Sequence, residues 1–164
     1  MLARGEEAHE IDVGPVSSDS WQAADYGTAH LLRDAQRAMS RALATRISTM
    51  SVSIGQWYFL RALWEEDGLT QRELSHRVGM MEPTTVTALN SMEKRGLVER
   101  VRNPRDRRKM NIFLTEKGRS LRDKLMPCED EVNKVAVAGL SESDVEALER
   151  SLRQILQNMA ENGG

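Results

Sequence analysis

Cysteine occurs once in these 164 residues, at Cys128, so no internal disulfide can staple the fold. A lone thiol fits a reducing compartment. Aromatic residues make up 4% of the chain, so Leu, Val, Ile, Met and Ala must build the core. His9, His30 and His76 are scattered, and no pair has metal-ligand spacing on one helix. No metal and no cofactor is therefore expected. No apolar run approaches membrane-spanning length, and the N-terminus lacks the cationic-then-apolar order of a signal peptide. The expectation is a cytoplasmic protein with no membrane partner. Gly-rich phosphate loops, nucleophile elbows and metal signatures are absent from the sequence. The carboxylate pairs Glu65/Glu66 and Glu129/Asp130 fall at helix ends or on polar faces, where solvation explains them. An enzyme is thus not the reading. Excess positive charge is lacking too: the formal net charge is -2, so any binding of nucleic acid must come from a local patch.

The stretch from residue 70 to 108 supplies such a patch. Thr70 and Glu73 form a T-x-x-E capping box that should open a helix. Leu74 and Val78 give it an apolar stripe, and Gly79 supplies a left-handed stop. Pro83 suits the first turn of the next helix. Val86, Leu89 and Met92 then recur every third residue as the expected buried face. Thr84, Thr85, Thr87, Ala88, Ser91 and Lys94 are left facing outward, and Gly96 ends the helix. Small hydroxyl side chains beside a lysine suit a helix that must approach another polar surface closely.

An extended hairpin follows, through Val98 and Val101, an Asn103-Pro104 turn, then Met110, Ile112 and Leu114, with its tip at residues 104–107. It carries Arg100, Arg102, Arg105, Arg107, Arg108 and Lys109 against only Glu99 and Asp106. A charged loop can exist merely to keep a surface soluble. That does not explain why the excess is of one sign and directly follows a recognition-type helix. Two short helices and a cationic hairpin form a winged helix-turn-helix, whose second helix enters the major groove. DNA phosphates are the natural partner for the cations, with one arginine entering the minor groove.

Around this domain the chain reads as helical. Residues 1–20 are irregular, either a tail or an extended arm. A long helix should run from residue 21 or 26 to 47 on Leu32, Ala35, Met39, Leu43 and Ile47. Ser53 and Gln56 open another, through Trp57, Leu60, Leu63 and Trp64, that Gly68 closes. Thr115 is the expected N-cap of a helix in which Leu121, Leu125, Cys128, Val132 and Val135 follow heptad steps. Pro127 should bend or break it, and Gly139 ends it. Ser141 and Asp144 open the last helix, with Val145, Leu148, Leu152, Ile155 and Met159 again at heptad steps. Such seams need a partner, and a second copy of the chain would supply one. The fold class is mainly α with a small β-hairpin wing. Residues 1–20 form an arm, 21–50 and 115–164 a helical dimerisation region, and 51–114 the winged helix-turn-helix. A homodimer would place two recognition helices on a palindromic site with half-sites roughly 34–36 Å apart.

Over residues 31–159 the sequence resembles the MarR family of bacterial transcription regulators. SIGQWYFLRAL, LTQRELSHRVG, EPTTVTALNSMEKRGLVER and NPRDRRKMNIFLTEKG carry the resemblance. Asp106, Arg108, Leu114, Thr115 and Gly118 match the family's D-x-R…L-T-x-x-G signature in order and spacing. The resemblance implies a dimer that represses nearby genes and releases DNA when a small ligand binds. It puts Thr84, Thr85, Thr87, Ala88 and Ser91 on the groove-facing side, with Asn90 and Lys94 as further base readers. Arg105, Arg107 and Arg108 would be at the wing, Arg107 in the minor groove and Arg108 pairing Asp106 to stiffen the hairpin. Many relatives carry a basic residue in place of Ala88 and Asp in place of Asn103. A ligand between the dimer and winged regions would meet His30, Arg33, Trp57, Tyr58 and Arg61, which suit a small aromatic carboxylate. Against that, Trp57 reads as core, Arg61 as an ion-pair partner and His30 as an exposed helix residue. Redox sensing through Cys128 is the rival reading, and a winged-helix protein–protein adaptor without DNA binding is another.

Overall fold

The computed structural model describes residues 27–162. The arm read into residues 1–20 and a helix start at residue 21 or 26 lie outside the described residues. The chain divides into two units, Met1–Ala35 and Gln36–Gly164. In the first, the described part is Gly27 and the opening turns of α1 (Thr28–Ser48), where Arg33 pairs with Asp34 at 3.0 Å. The second holds the rest of α1, then α2 (Ile54–Glu65), β1 (Leu69–Thr70), α3 (Gln71–Val78), α4 (Glu82–Lys94), β2 (Val98–Arg102), β3 (Met110–Leu114), α5 (Glu116–Ser120), α6 (Arg122–Ala136) and α7 (Glu142–Asn162).

Local chemistry sets most of these boundaries. Both capping boxes form: the Ser53 and Thr70 hydroxyls accept the N–H of Gln56 and Glu73, and those side chains reach back to the cap N–H. Gly79 stops α3 in the left-handed region at φ 70°. Ser141 accepts the Asp144 N–H at 3.2 Å and opens α7 as its sequence suggests. The Ser141 hydroxyl and N–H, donating to the Asp144 carboxylate, hold its pKa below the ordinary value. Among the described residues no helix is long and apolar enough to cross a membrane.

The core is built around α2, which buries Gln56, Trp57, Phe59, Leu60, Ala62 and Leu63. A helix apolar on nearly every side can be stable only when other elements surround it. Leu43 and Ile47 of α1, Leu74 of α3, Leu89 and Met92 of α4, Ile112 and Leu114 of β3, and Leu125 and Val132 of α6 join the same cluster. Trp57 and Trp64 meet edge to face with ring centroids 5.6 Å apart.

Three features depart from the sequence reading. The hairpin is part of a three-stranded antiparallel sheet in the order β1-β3-β2, with Leu69 opposite Ile112 and Val98 opposite Leu114. Two residues are too short a run to show strand periodicity, so β1 is not visible in the sequence. Second, the helix capped by Thr115 is interrupted at Leu121, not at Pro127, which lies on the exposed side of an unbroken α6. Third, the α6 seam is partly spent inside the unit: Leu125 and Val132 are buried in its core, while Val135 stays 66% exposed.

Candidate nucleic-acid interface

Helix α4 is wedged into the domain by Thr85, Leu89 and Met92, all fully buried. This corrects the expected stripe of Val86, Leu89 and Met92. At 100° per residue the observed triad spans about 60° of the helix surface, against about 120° for the expected one. Burying a threonine is tolerable because its hydroxyl donates to the Met81 carbonyl at 3.2 Å. Thr85 therefore faces the core and cannot read bases, while Val86 is exposed. Ala88 is half-buried against the core, at the edge of the outward face. Thr84, Thr87, Asn90, Ser91 and Lys94 do face outward, as expected.

Polar contacts made from below hold the outward face. Thr87 donates its hydroxyl to the Pro83 carbonyl at 3.2 Å. Asn90 accepts from Arg100 Nη2 at 2.8 Å, and the same guanidinium pairs with Glu93. Ser91 accepts from Gln56 Nε2 at 3.2 Å, and Gln56 Oε1 accepts from Arg95 Nη1 at 2.7 Å. The C-terminal carbonyls of the helix are covered as well. Lys117 Nζ donates to the Arg95 carbonyl at 2.8 Å and the Thr115 hydroxyl to that of Gly96 at 2.6 Å. A cation at this end also complements the helix dipole.

Sequence reasoning misses Gln56, Arg95, Arg100 and Lys117 as site residues. By position along the chain Arg100 belongs with the cationic tip. Strand alternation instead turns it, two residues from buried Val98, onto the face that meets α4.

The wing loop, residues 103–109, is fixed by side chains that bond its own backbone. Asn103 Oδ1 accepts the N–H groups of Arg105 and Asp106 at 2.9 and 3.0 Å. Its Nδ2 donates to Asn111 Oδ1 at 2.9 Å, and Asn111 Nδ2 donates to the Gly68 carbonyl at 2.6 Å. An aspartate at 103 could accept the same two bonds but could not donate to Asn111. Asp106 accepts the backbone N–H of Arg108 at 3.1 Å. Stiffening by Asp106 thus comes through the main chain of Arg108 and not through the expected guanidinium pair. Arg102, Arg105, Arg107, Arg108 and Lys109 form no ion pair among the described residues, and the four arginines and the lysine are all exposed.

The remaining signature residues are structural. Leu114 is buried. Thr115 Oγ1 accepts the Gly118 N–H at 3.1 Å. A Cβ on Gly118 would overlap the Leu97 carbonyl oxygen, so only glycine lets α5 approach the backbone before β2 this closely. The Gly118 carbonyl accepts from Trp64 Nε1 at 3.0 Å.

Most of the expected ligand contacts have internal partners. Trp57 is 1% exposed and packs in the core, so it offers no ring to a ligand. The Tyr58 hydroxyl lies 2.9 Å from Ser40 Oγ. Arg61 is held by Glu65 and by Glu129, the latter at 3.4 Å. His30 and Arg33 belong to the first unit. Cys128 is half-buried against the core, with Sγ 3.7 Å from the Lys124 carbonyl. Among the described residues no cluster of His, Cys, Asp and Glu could hold a metal. A cleft of 350 Å³ does open between the α3 N-terminus and the wing root, lined by Thr70, Arg72, Glu73, Glu82, Arg108 and Lys109 among others.

A buried-backed helix after a capped turn, followed by a sheet whose loop protrudes in cations, defines a winged helix-turn-helix domain. Residues 52–110 match the family model described as MarR family. The chain is 33% identical over 107 residues to the HTH-type transcriptional regulator TtmR of Methylorubrum extorquens, covering 65% of this chain and 55% of that regulator. It is thus similar to about half the length of that relative. A MarR transcriptional regulator from Methanosarcina mazei superimposes with TM-score 0.77 at 26% identity, over 81% of this chain and 96% of the other. The Staphylococcus aureus MepR–DNA complex gives TM-score 0.74 at 25% identity, over 82% and 99%. Over residues 52–110, and in its fold, the chain is thus similar to the winged helix-turn-helix regulators of the MarR family.

Proposed function

We propose that the chain is a homodimeric, DNA-binding transcriptional repressor that binds a palindromic operator and is released by a small aromatic-acid ligand. One observation carries the DNA-binding part. A polar recognition helix, rigidly backed, is joined through Arg100 to a wing whose five remaining cations have no ion-pair partner among the described residues. Crowded on one hairpin and without a direct ion pair, these cations repel one another, and a polyanion relieves that repulsion. MepR, whose complex with DNA is one of the structures similar to this chain, supports the same reading. MarR family members are transcriptional regulators and not enzymes.

The dimer rests on α7. It has the most one-sided distribution of apolar residues of the long helices, yet buries none of them. Leu148 is 45%, Met159 60% and Leu156 71% exposed. Burial against a second copy at about 25 cal/mol per Å² would stabilise an otherwise wet apolar face. For the effector, the family resemblance and the half-buried polar side chains of Tyr58 and Arg61 are the support, without Trp57.

Selection from a randomised duplex library with the full chain tests the function. An inverted repeat with half-sites one helical turn apart is expected. Retention without sequence enrichment would refute it. A thermal-shift series with simple aromatic acids tests the ligand, since a molecule that binds the native state raises its melting temperature.

A further inference from the structure

The hydrogen-bond polarity of the recognition helix is set by residues outside it. Arginine has only donors. Arg100 Nη2 lies 2.8 Å from the Asn90 side-chain oxygen, so the Asn90 amide must turn its carbonyl inward and its two amide hydrogens outward. The Arg100 side chain is only 17% exposed and also pairs with Glu93, so it is anchored beneath the helix and not available as a contact itself. The same logic operates one residue on. Arg95, another obligate donor, takes the Gln56 oxygen at 2.7 Å, which turns Gln56 Nε2 toward Ser91 Oγ at 3.2 Å. Gln56 is buried, at 8% exposure, and satisfied on both sides. Ser91 receives that bond and keeps its hydroxyl hydrogen for an outside acceptor. Thr87 is the reverse: its hydrogen is used on the Pro83 carbonyl, so its oxygen can only accept.

We propose that Arg100, with Gln56 in support, is a specificity-positioning residue that makes Asn90 and Ser91 donors toward DNA. An unconstrained asparagine reads adenine through two bonds, giving one to N7 and accepting one from N6. With its oxygen turned toward Arg100, Asn90 does not present oxygen and amide nitrogen side by side to the adenine edge, as that pair requires. It selects instead a base edge carrying acceptors alone: guanine, with O6 and N7, or thymine, with O4. This inference rests on the DNA-reading function proposed above and adds to it the class of base at one position.

The test is selection from a randomised duplex library, carried out in parallel with the wild-type chain and the variants Asn90→Ala, Arg100→Met and Asn90→Asp. Asn90→Ala identifies the base pair concerned as the position that loses its preference. At that pair the wild type is expected to enrich guanine or thymine over adenine. Arg100→Met frees the Asn90 oxygen and should move the preference toward adenine about tenfold, with the other positions unchanged. Asn90→Asp keeps the partner of Arg100 and needs no repacking, but removes the donor. It should shift the preference to a base with an exocyclic amino group, adenine or cytosine. A merely structural role for Arg100 would weaken all sequences alike and leave the preference unmoved. Adenine already preferred by the wild type, or unchanged preferences in Arg100→Met and Asn90→Asp, would overturn the inference while leaving the DNA-binding function intact. Absence of any enriched sequence with the wild type would overturn both.

Discussion

Replacing Gly118 by alanine should destabilise the winged domain far more than one methyl group suggests. The new Cβ would overlap the Leu97 carbonyl oxygen and crowd a Leu114 methyl carbon at 3.1 Å. The first neighbour is backbone, paired to the Thr115 N–H at 3.1 Å, and cannot swing aside like a side-chain tip. Helix α5 must therefore lift. Overpacking of this kind costs about 1–3 kcal/mol. Lifting also strains the Trp64–Gly118 hydrogen bond, worth about 1 kcal/mol, and the Thr115 cap, worth about 1 kcal/mol. A total of about 3–5 kcal/mol is a large share of the ~5–15 kcal/mol that holds a typical domain. At about 2–4 °C per kcal/mol for a chain of this size, the melting temperature should fall by on the order of 10 °C. Thermal unfolding followed by tryptophan fluorescence, at equal protein concentration for both proteins, measures it. A shift within about 1 °C would refute the close-approach argument for this position.

Thr85→Val exchanges a buried hydroxyl, bonded only to the Met81 carbonyl, for a methyl group of like shape. Stability should change by less than about 1 kcal/mol and base preference not at all; an altered preference in library selection would mean that Thr85 turns outward on DNA. Leu152→Asp places a charge in the middle of the apolar face of α7 and should yield monomers by sedimentation, whereas an intact dimer would show that the face is not the interface. The Thr70 hydroxyl and N–H hold the Glu73 pKa below its ordinary value, aided by Lys109 and Arg77. The folded-state pKa is thus the lower one, so the capping contribution is present above the unfolded pKa and is lost as pH falls through the folded one. Glu73→Gln should flatten the acid side of the stability profile below the ordinary carboxylate range; an identical profile would show the box to be without consequence.

Much of the architecture is legible in the sequence because its signals are local. Capping boxes at Ser53, Thr70 and Ser141 need only residues three apart, and all three form. The signature from Asp106 to Gly118 is legible as a pattern, but its physical content is not. The Leu97 oxygen that excludes a side chain at 118 lies twenty-one residues away. Thr85 misleads because hydrophobicity marks a buried stripe and satisfied polarity does not. A threonine whose hydroxyl bonds its own helix backbone behaves as a small valine. Arg100 misleads because charge read along the chain ignores facing. A strand turns alternate residues to opposite faces, and this turn removes Arg100 from the wing surface and gives it to the recognition helix. The ligand candidates are weakest for a related reason: Trp57, the bulkiest of them, is the kind of residue a core of few aromatics needs most.

The central claim is that the exposed wing cations bind duplex phosphates. The salt dependence of duplex binding, measured for the wild type and for an Arg105→Ala, Arg107→Ala variant on the selected operator, tests it most directly. The logarithm of the binding constant should fall linearly with the logarithm of salt concentration. The variant's slope should be shallower by about 0.9 for each phosphate that an arginine no longer neutralises. Equal slopes and equal affinities for the two proteins would contradict the account.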